Sequence, residues 1–284
     1  MSLEITELFA EREAERYALH TRYLNEQMVR VLKTIGFDKG FRKGAGQYLY
    51  DRQGDKYLDL LSGWGVFAIG RNHPTVRDAL KQVLDSDFPN LVQMDVSALA
   101  GVLAERLLRY VPYLDKVFFA NSGTEAVEAG LKFARAATGR AGIVYCGHAF
   151  HGLSYGALSV NGDGIFRDGF GPLLPECTEI PFNDLDALDR ALSTRQVAAF
   201  LVEPIQGKGV VIPLFKDHKV LTQVAGHANH TIKLLPPLTI TDADCDWIER
   251  AFKVVIADAH RVPGAIWTLG KTLVDNAVRT RAAG

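Results

Sequence analysis

Cysteine is scarce in this chain, charge of one sign does not accumulate, and no hydrophobic run approaches the length of a membrane span. The three cysteines, Cys146, Cys177 and Cys245, are far apart and odd in number. That argues against a disulfide framework or a C-x-x-C metal site and suits a reduced cytoplasm. His227 and His230 have no third ligand nearby with which to hold a metal. With 32 basic against 33 acidic side chains the formal net charge is -1, which removes the electrostatic case for nucleic acid or an anionic membrane. The opening stretch, MSLEITELFAEREAERYALH, interrupts its apolar residues with charge too often for a secretory h-region or a transmembrane helix. What remains is an ordinary soluble composition, 48% hydrophobic and 23% charged over 284 residues, which predicts about two domains.

The most informative stretch is residues 117–152, VFFANSGTEAVEAGLKFARAATGRAGIVYCGHAFHG. Val117, Phe118 and Phe119 make a short apolar run that predicts a strand buried on both faces, broken by Asn121, Ser122, Gly123 and Thr124. From Glu125 the apolar residues recur at helical spacing, cations gather toward the far end, and Gly139 is a fitting stop. The turn between strand and helix has two readings. Ser122 or Thr124 caps the helix, the stretch from Thr124 to Val127 lacking the capping-box pattern. Alternatively, unpaired N–H groups of the first helical turn, the two hydroxyls and the open approach at Gly123 hold a phosphate monoester.

The rest of the chain supplies a frame. Residues 2–34 carry an amphipathic helical pattern ending near Gly36. Tyr48, Leu49 and Tyr50, the turn Asp51-Arg52-Gln53-Gly54, and Tyr57 to Leu60 predict a hairpin. Helices are expected over 75–84, 97–110, 183–192 and 242–259, the last capped by Thr241. Gly142 to Tyr145 and the continuous run VAAFLV at 197–202 read as buried parallel strands. Glu203 follows the second, at the strand end where open α/β sheets bind ligands. There it orders a water or a substrate amine, or is satisfied by local N–H groups.

N-S-G-T-E-A-V-E, then F-H-G at Phe150 to Gly152, then V-E-P-I-Q-G from Val202 resemble the class III aminotransferases, pyridoxal 5'-phosphate enzymes of fold type I. G-W-G-V-F-A-I-G-R-N-H-P from Gly63, G-F-G-P-L-L-P from Gly169 and L-L-P-P-L-T-I-T from Leu234 extend the resemblance, in family order, over most of the chain. The resemblance implies an α/β fold: an incomplete three-layer α/β/α large domain over residues 61–213, and a smaller α+β domain built from residues 1–60 and 214–284. It implies transfer of an amino group from an amine or omega-amino acid to a 2-oxo acid, in a cytoplasmic dimer. It assigns the cofactor to Ser122, Gly123, Thr124, Phe150, His151 and Glu203, with Phe150 stacked on the pyridine ring and His151 a neighbour rather than a catalyst. Phe150 read alone is as readily a ring buried under a loop. Trp64 lines the substrate pocket in this reading, or is simply a core residue. Lys233 stands near the place of an arginine that grips a substrate carboxylate, a fork that lysine does not reproduce.

The resemblance also exposes a gap. Between Pro213 and Leu214 the family places a segment with an Asp-Glu strand end, whose aspartate pairs with the pyridine nitrogen, a threonine for a neighbouring subunit's phosphate, and the Schiff-base lysine. None of the thirteen lysines here sits in the family's A-K-(A/S)-(L/I)-G-G setting, and Lys208 belongs to the loop after Glu203. The expectation is therefore a family member with an internal deletion, no catalytic lysine, and strands left short of partners. Its alternative role is as a phosphate-binding or oligomerisation module.

Overall fold

The structure is a computed structural model that describes residues 4–89, 92–203, 214–215, 217–225 and 231–259. Val211 to Pro213, on the N-terminal side of the expected gap, and Lys208, His227 and His230 lie outside the described residues. The chain divides into two compact units, one from residues 1–81, 209–224 and 231–284, the other from residues 82–208 and 225–230.

The first unit begins with helices Ile5–Arg12 (α1), Arg16–Tyr23 (α2) and Glu26–Ile35 (α3). The predicted amphipathic segment is thus cut twice, for separate reasons. A 3-10 turn at Glu13–Glu15 carries Glu13 inward, where Arg16 and Arg52 approach its carboxylate at 2.9 and 2.8 Å. Asn25 then starts α3 afresh, its side chain accepting from the Met28 N–H at 2.8 Å, and Gly36 ends it in the left-handed conformation at φ 73°.

The expected hairpin is present as Tyr48–Tyr50 (β2) and Lys56–Asp59 (β3), with Lys43–Ala45 (β1) antiparallel on the outer side of β2. Asp51 Oδ1 organises the turn by accepting from the N–H groups of Gln53 and Asp55 at 3.0 and 2.8 Å. Helix Pro74–Leu84 (α4) opens with proline, as its sequence predicts. Val220–Leu221 (β7) joins β3 in parallel, and Gln223–Ala225 (β8) pairs with Thr231–Lys233 (β9).

Leu58, Leu60, Leu214 and Val220 are fully buried, and Asp242–Ala259 (α10) lays Ala251, Trp247, Ile248 and Phe252 against them. Phe215 stacks on Phe37 at 3.9 Å between ring centres. Leu214 and Phe215 therefore belong to a core shared with the N-terminal strands. This unit is α+β and draws on both ends of the chain. Thr241 caps α10 reciprocally with Asp244, and Asp244 also accepts from Gln47 and from Tyr48 at 2.7 and 2.5 Å. Burial, reinforced by that carboxylate, pushes the Tyr48 phenol up to about 12.

The second unit contains Ala98–Leu108 (α5), Gly123–Thr138 (α6), Gly142–Cys146 (β4), Tyr155–Ser159 (α7), Gly164–Arg167 (α8), Cys177–Ile180 (β5), Leu185–Ser193 (α9) and Val197–Leu201 (β6). Its three strands are parallel in the order β5-β4-β6. Alternation along β4 splits the core into two layers. Ile143 and Tyr145 meet Leu131 of α6 on one face, while Val144 and Cys146 meet Ala187 and Leu188 of α9 on the other. This is a three-layer α/β/α unit with a sheet of few strands.

One expected strand does not form. Residues 117–119 belong to no strand, and Phe118 is 63% exposed. A buried parallel strand needs lateral partners and cover on both faces, and no described strand pairs with this run. Among the described residues no helix is long and apolar enough to cross a membrane, and no cluster of His, Cys, Asp or Glu could hold a metal ion.

Candidate functional site

The first turn of α6 is built by four consecutive residues. Ser122 is extended at φ -149° and its Oγ accepts from the Glu125 N–H at 3.2 Å. Glu125 answers by accepting from the Asn121 N–H at 2.7 Å. This is a capping arrangement, and its signal is the S-G-T-E pattern beginning at Ser122, two residues before the stretch that fails the test. Capping consumes the Glu125 N–H only. The N–H groups of Gly123 and Thr124, at the first two helical positions, have no intrahelical acceptor, so the cap leaves them open to an anion.

Thr124 faces inward. Its Oγ1 lies 2.8 Å from Ser154 Oγ and accepts from the Ser154 N–H at 3.3 Å. Ser154 in turn donates to Glu128 Oε1, which also accepts from the N–H groups of Gly156 and Ala157 at 2.8 and 3.1 Å. Burial opposes the charge on Glu128, but these donors and Lys132 prevail and hold its carboxyl below the usual range. The Thr124 hydroxyl is thus engaged with a loop rather than free.

That loop leaves the end of β4 and carries Phe150 and His151. Three anchors fix it. The Phe150 N–H donates to Glu203 Oε1 at 2.6 Å, the His151 N–H donates to Asn161 Oδ1 at 2.6 Å, and Asn161 Nδ2 donates to the Gly152 carbonyl at 2.8 Å. Gly152 has φ +126°, and a Cβ there would lie 2.4 Å from Thr124 Oγ1. Only glycine allows the loop to touch the first turn of α6 in this way.

The structure therefore brings Ser122, Gly123, Thr124, Phe150, His151 and Glu203 together in one unit, at the strand ends and a helix start. Phe150 is not buried under its loop. It is 44% exposed and meets Phe166 edge to face at 5.1 Å. Glu203 receives a local N–H, and its Oε1 also lies 3.7 Å from His151 Nδ1. The His151 side chain is only 6% exposed, burial lowers its pKa, and its Nε2 has no hydrogen-bond partner among the described residues. Burial, followed by the Glu203 charge, raises the neighbouring Cys146 thiol. Trp64 belongs to the other unit, where it is 76% exposed at φ 56°, so it is not a core residue.

Sequence reasoning missed Glu128, Ser154 and Asn161. A signal existed for the first: Thr124 and Glu128 are spaced i, i+4 and so share a face of α6. Asn161, fully buried and distant from any motif, gave none.

These residues fit part of a pyridoxal-phosphate site. The open N–H groups, the Ser122 hydroxyl and the helix dipole suit a phosphate, and the half-exposed Phe150 suits a flat ring. For the covalent anchor the chain has no lysine in the family's setting.

Comparison with known proteins gives the family. The model of the family Aminotransferase class-III matches residues 38–216. The acetylornithine aminotransferase of Bacillus cereus is 44% identical over 174 residues, 61% of this chain and 44% of that one. Among solved structures, the taurine:2-oxoglutarate aminotransferase of Bifidobacterium kashiwanohense, in complex with PLP and glutamate, has a TM-score of 0.59 at 26% identity over 70% of this chain and 50% of its own. The ornithine aminotransferase of Toxoplasma gondii shares the fold, with a TM-score of 0.62 at 21% identity, over 90% of this chain and 55% of its own. The chain thus spans about half the length of the relatives it matches. The family's cofactor is pyridoxal phosphate. By its matched residues, its fold and the elements gathered at the start of α6, the chain belongs to the class III aminotransferases.

Proposed function

We propose that this chain is a non-covalent pyridoxal-phosphate binder, descended from enzymes that move an amino group from an amine or omega-amino acid to a 2-oxo acid, and itself inactive in that transfer. The observation that carries this reading is a juxtaposition. The α6 start, with the open N–H groups of Gly123 and Thr124, touches at Gly152 the loop that carries Phe150 and is tied to Glu203, while no lysine of the chain stands in the family's covalent setting. When bound in an enzyme of this family, pyridoxal phosphate supplies an electron sink for the carbon that carries the amino group.

Each residue has a role in binding. Gly123 and Thr124 present N–H groups, and Ser122 a hydroxyl, to the phosphate, where the α6 dipole favours negative charge. Phe150 offers its ring face. Glu203 holds the Phe150 backbone in place, and His151, kept neutral by burial, closes the floor beside it. An internal deletion between Pro213 and Leu214 accounts for the missing anchor. The exposed Phe118 and the outer edge of β6, which no described strand pairs, support a second part of the reading, that copies of the chain associate. Its free cysteines suit a reducing cytoplasm.

Titration with pyridoxine 5'-phosphate, which lacks the aldehyde and forms no lysine adduct, tests the binding claim directly. Saturable binding that inorganic phosphate displaces supports it. Binding insensitive to phosphate, or none, returns Ser122 to capping alone. Intact mass, read with the encoding DNA, tests the deletion.

A further inference from the structure

We infer that Glu128 is a positioning residue: from one turn inside α6 it sets, through Ser154, the loop that carries Phe150 and His151. The inference rests on the hydrogen-bond pattern. Ser154 stands at the N-cap position of α7, where a serine normally turns its oxygen to the helix's own N–H groups. Here it makes no such bond. Its hydroxyl is donated to Glu128, and Glu128 reaches across from another helix to accept the Gly156 and Ala157 N–H groups in its place. Since the Ser154 proton is committed to Glu128, the 2.8 Å contact with Thr124 is a donation from the Thr124 hydroxyl. A directed chain therefore runs from Thr124 to Ser154 to Glu128, with the Ser154 N–H returning to Thr124.

Close packing reinforces the chain of bonds. A Cβ at Gly156 would lie 2.1 Å from Glu128 Oε2, and one at Gly152 would lie 2.4 Å from Thr124 Oγ1. The loop is thus pressed onto α6 at two points one helical turn apart, with Phe150 and His151 just before the first. A carboxylate is suited to this place because one oxygen serves three donors, a load a neutral acceptor carries less well. Glu128 itself is not given any contact with a ligand by this arrangement. It makes the α6 first turn and the aromatic loop one rigid piece, which lets phosphate and ring contacts act together.

The test uses backbone amide hydrogen exchange on the full chain, together with ligand titration. In Ser154→Ala the Gly156 and Ala157 amides should stay protected by Glu128, while Phe150 and His151, which do not touch the substituted side chain, exchange about tenfold faster. Glu128→Ala should loosen all four, and Glu128→Gln, which keeps an acceptor oxygen in place, should restore most of the protection. Changes confined to residues 154–157 would overturn the inference and reduce Glu128 to the cap of a short helix. Should Glu128→Ala fail to fold, the Ser154 variant decides. The ligand arm rests on the cofactor reading given above. Ser154→Ala should weaken pyridoxine 5'-phosphate about tenfold but inorganic phosphate by less than about twofold, since only the former uses the Phe150 ring. Equal loss for both ligands would contradict positioning. A wild-type chain that binds neither overturns the cofactor reading and leaves the exchange comparison to judge this one.

Discussion

Glu203 Oε1 accepts the backbone N–H of Phe150 at 2.6 Å, so the carboxylate at the end of β6 fixes the aromatic residue that follows β4. Two neighbouring strand ends are thereby tied by one charged hydrogen bond. Removing it with Glu203→Ala should cost about 1–3 kcal/mol in the unfolding of this unit. It should also weaken binding of pyridoxine 5'-phosphate more than binding of inorganic phosphate. Urea titration gives the first quantity and calorimetry the second. An unchanged ratio of the two affinities would separate Glu203 from the ring.

Gly152 gives a sharper steric test. Its φ of +126° and the 2.4 Å approach to Thr124 Oγ1 leave no space for a side chain. Gly152→Ala should lose about 2–4 kcal/mol of stability and detach the loop from α6. A variant as stable as the parent, measured by thermal and urea unfolding, would mean that the loop does not sit on the helix start.

Acid should weaken the second unit through His151. Burial holds its folded pKa below the ordinary value of 6.5, so the neutral ring is favoured in the fold. Its stabilising contribution is complete above about pH 6.5, and is lost as pH falls from there through the lower folded pKa, because the unfolded chain binds the proton first. The 3.7 Å approach of Glu203 does not cancel this. As pH falls below about 6.5, melting temperature should drop more steeply in the parent than in His151→Gln. Parallel curves would remove His151 from the account.

Exposed apolar side chains should make the chain self-associate. Phe118 and Phe119 lie on a run that pairs with no described strand, α5 exposes Leu99, Val102, Leu103 and Leu107, and β6 is an edge among the described strands. Light scattering should rise with concentration and an apolar-surface dye should bind. A dye-silent monomer with one cooperative unfolding transition would contradict this.

Much of the frame was legible because its signals are local. Gly139 stops α6 in the left-handed conformation at φ 67°, and Asp51 makes the hairpin turn it predicts. The α6 start was legible as a turn with Ser122 among its two candidate caps, while the S-G-T-E pattern that begins at Ser122 was passed over for the stretch from Thr124. The run at 117–119 was misread because an apolar tripeptide specifies a strand only when neighbours exist to pair with it. At the site, Phe150 and Glu203 were recognised from their motifs, but the bond between them joins residues far apart in sequence. Glu128 closes the N-S-G-T-E-A-V-E motif and shares a helix face with Thr124, but neither signal says what it contacts. Its role depends on three donors that arrive from a later loop.

On the proposed reading, the phosphate-and-ring half of a pyridoxal-phosphate site persists here without its covalent half. Incubation with pyridoxal phosphate, reduction with borohydride to make any lysine linkage permanent, and peptide mapping test it most directly. The account predicts reversible binding that phosphate competes away, and only scattered, substoichiometric labelling across the thirteen lysines. A single lysine labelled selectively and stoichiometrically would contradict it.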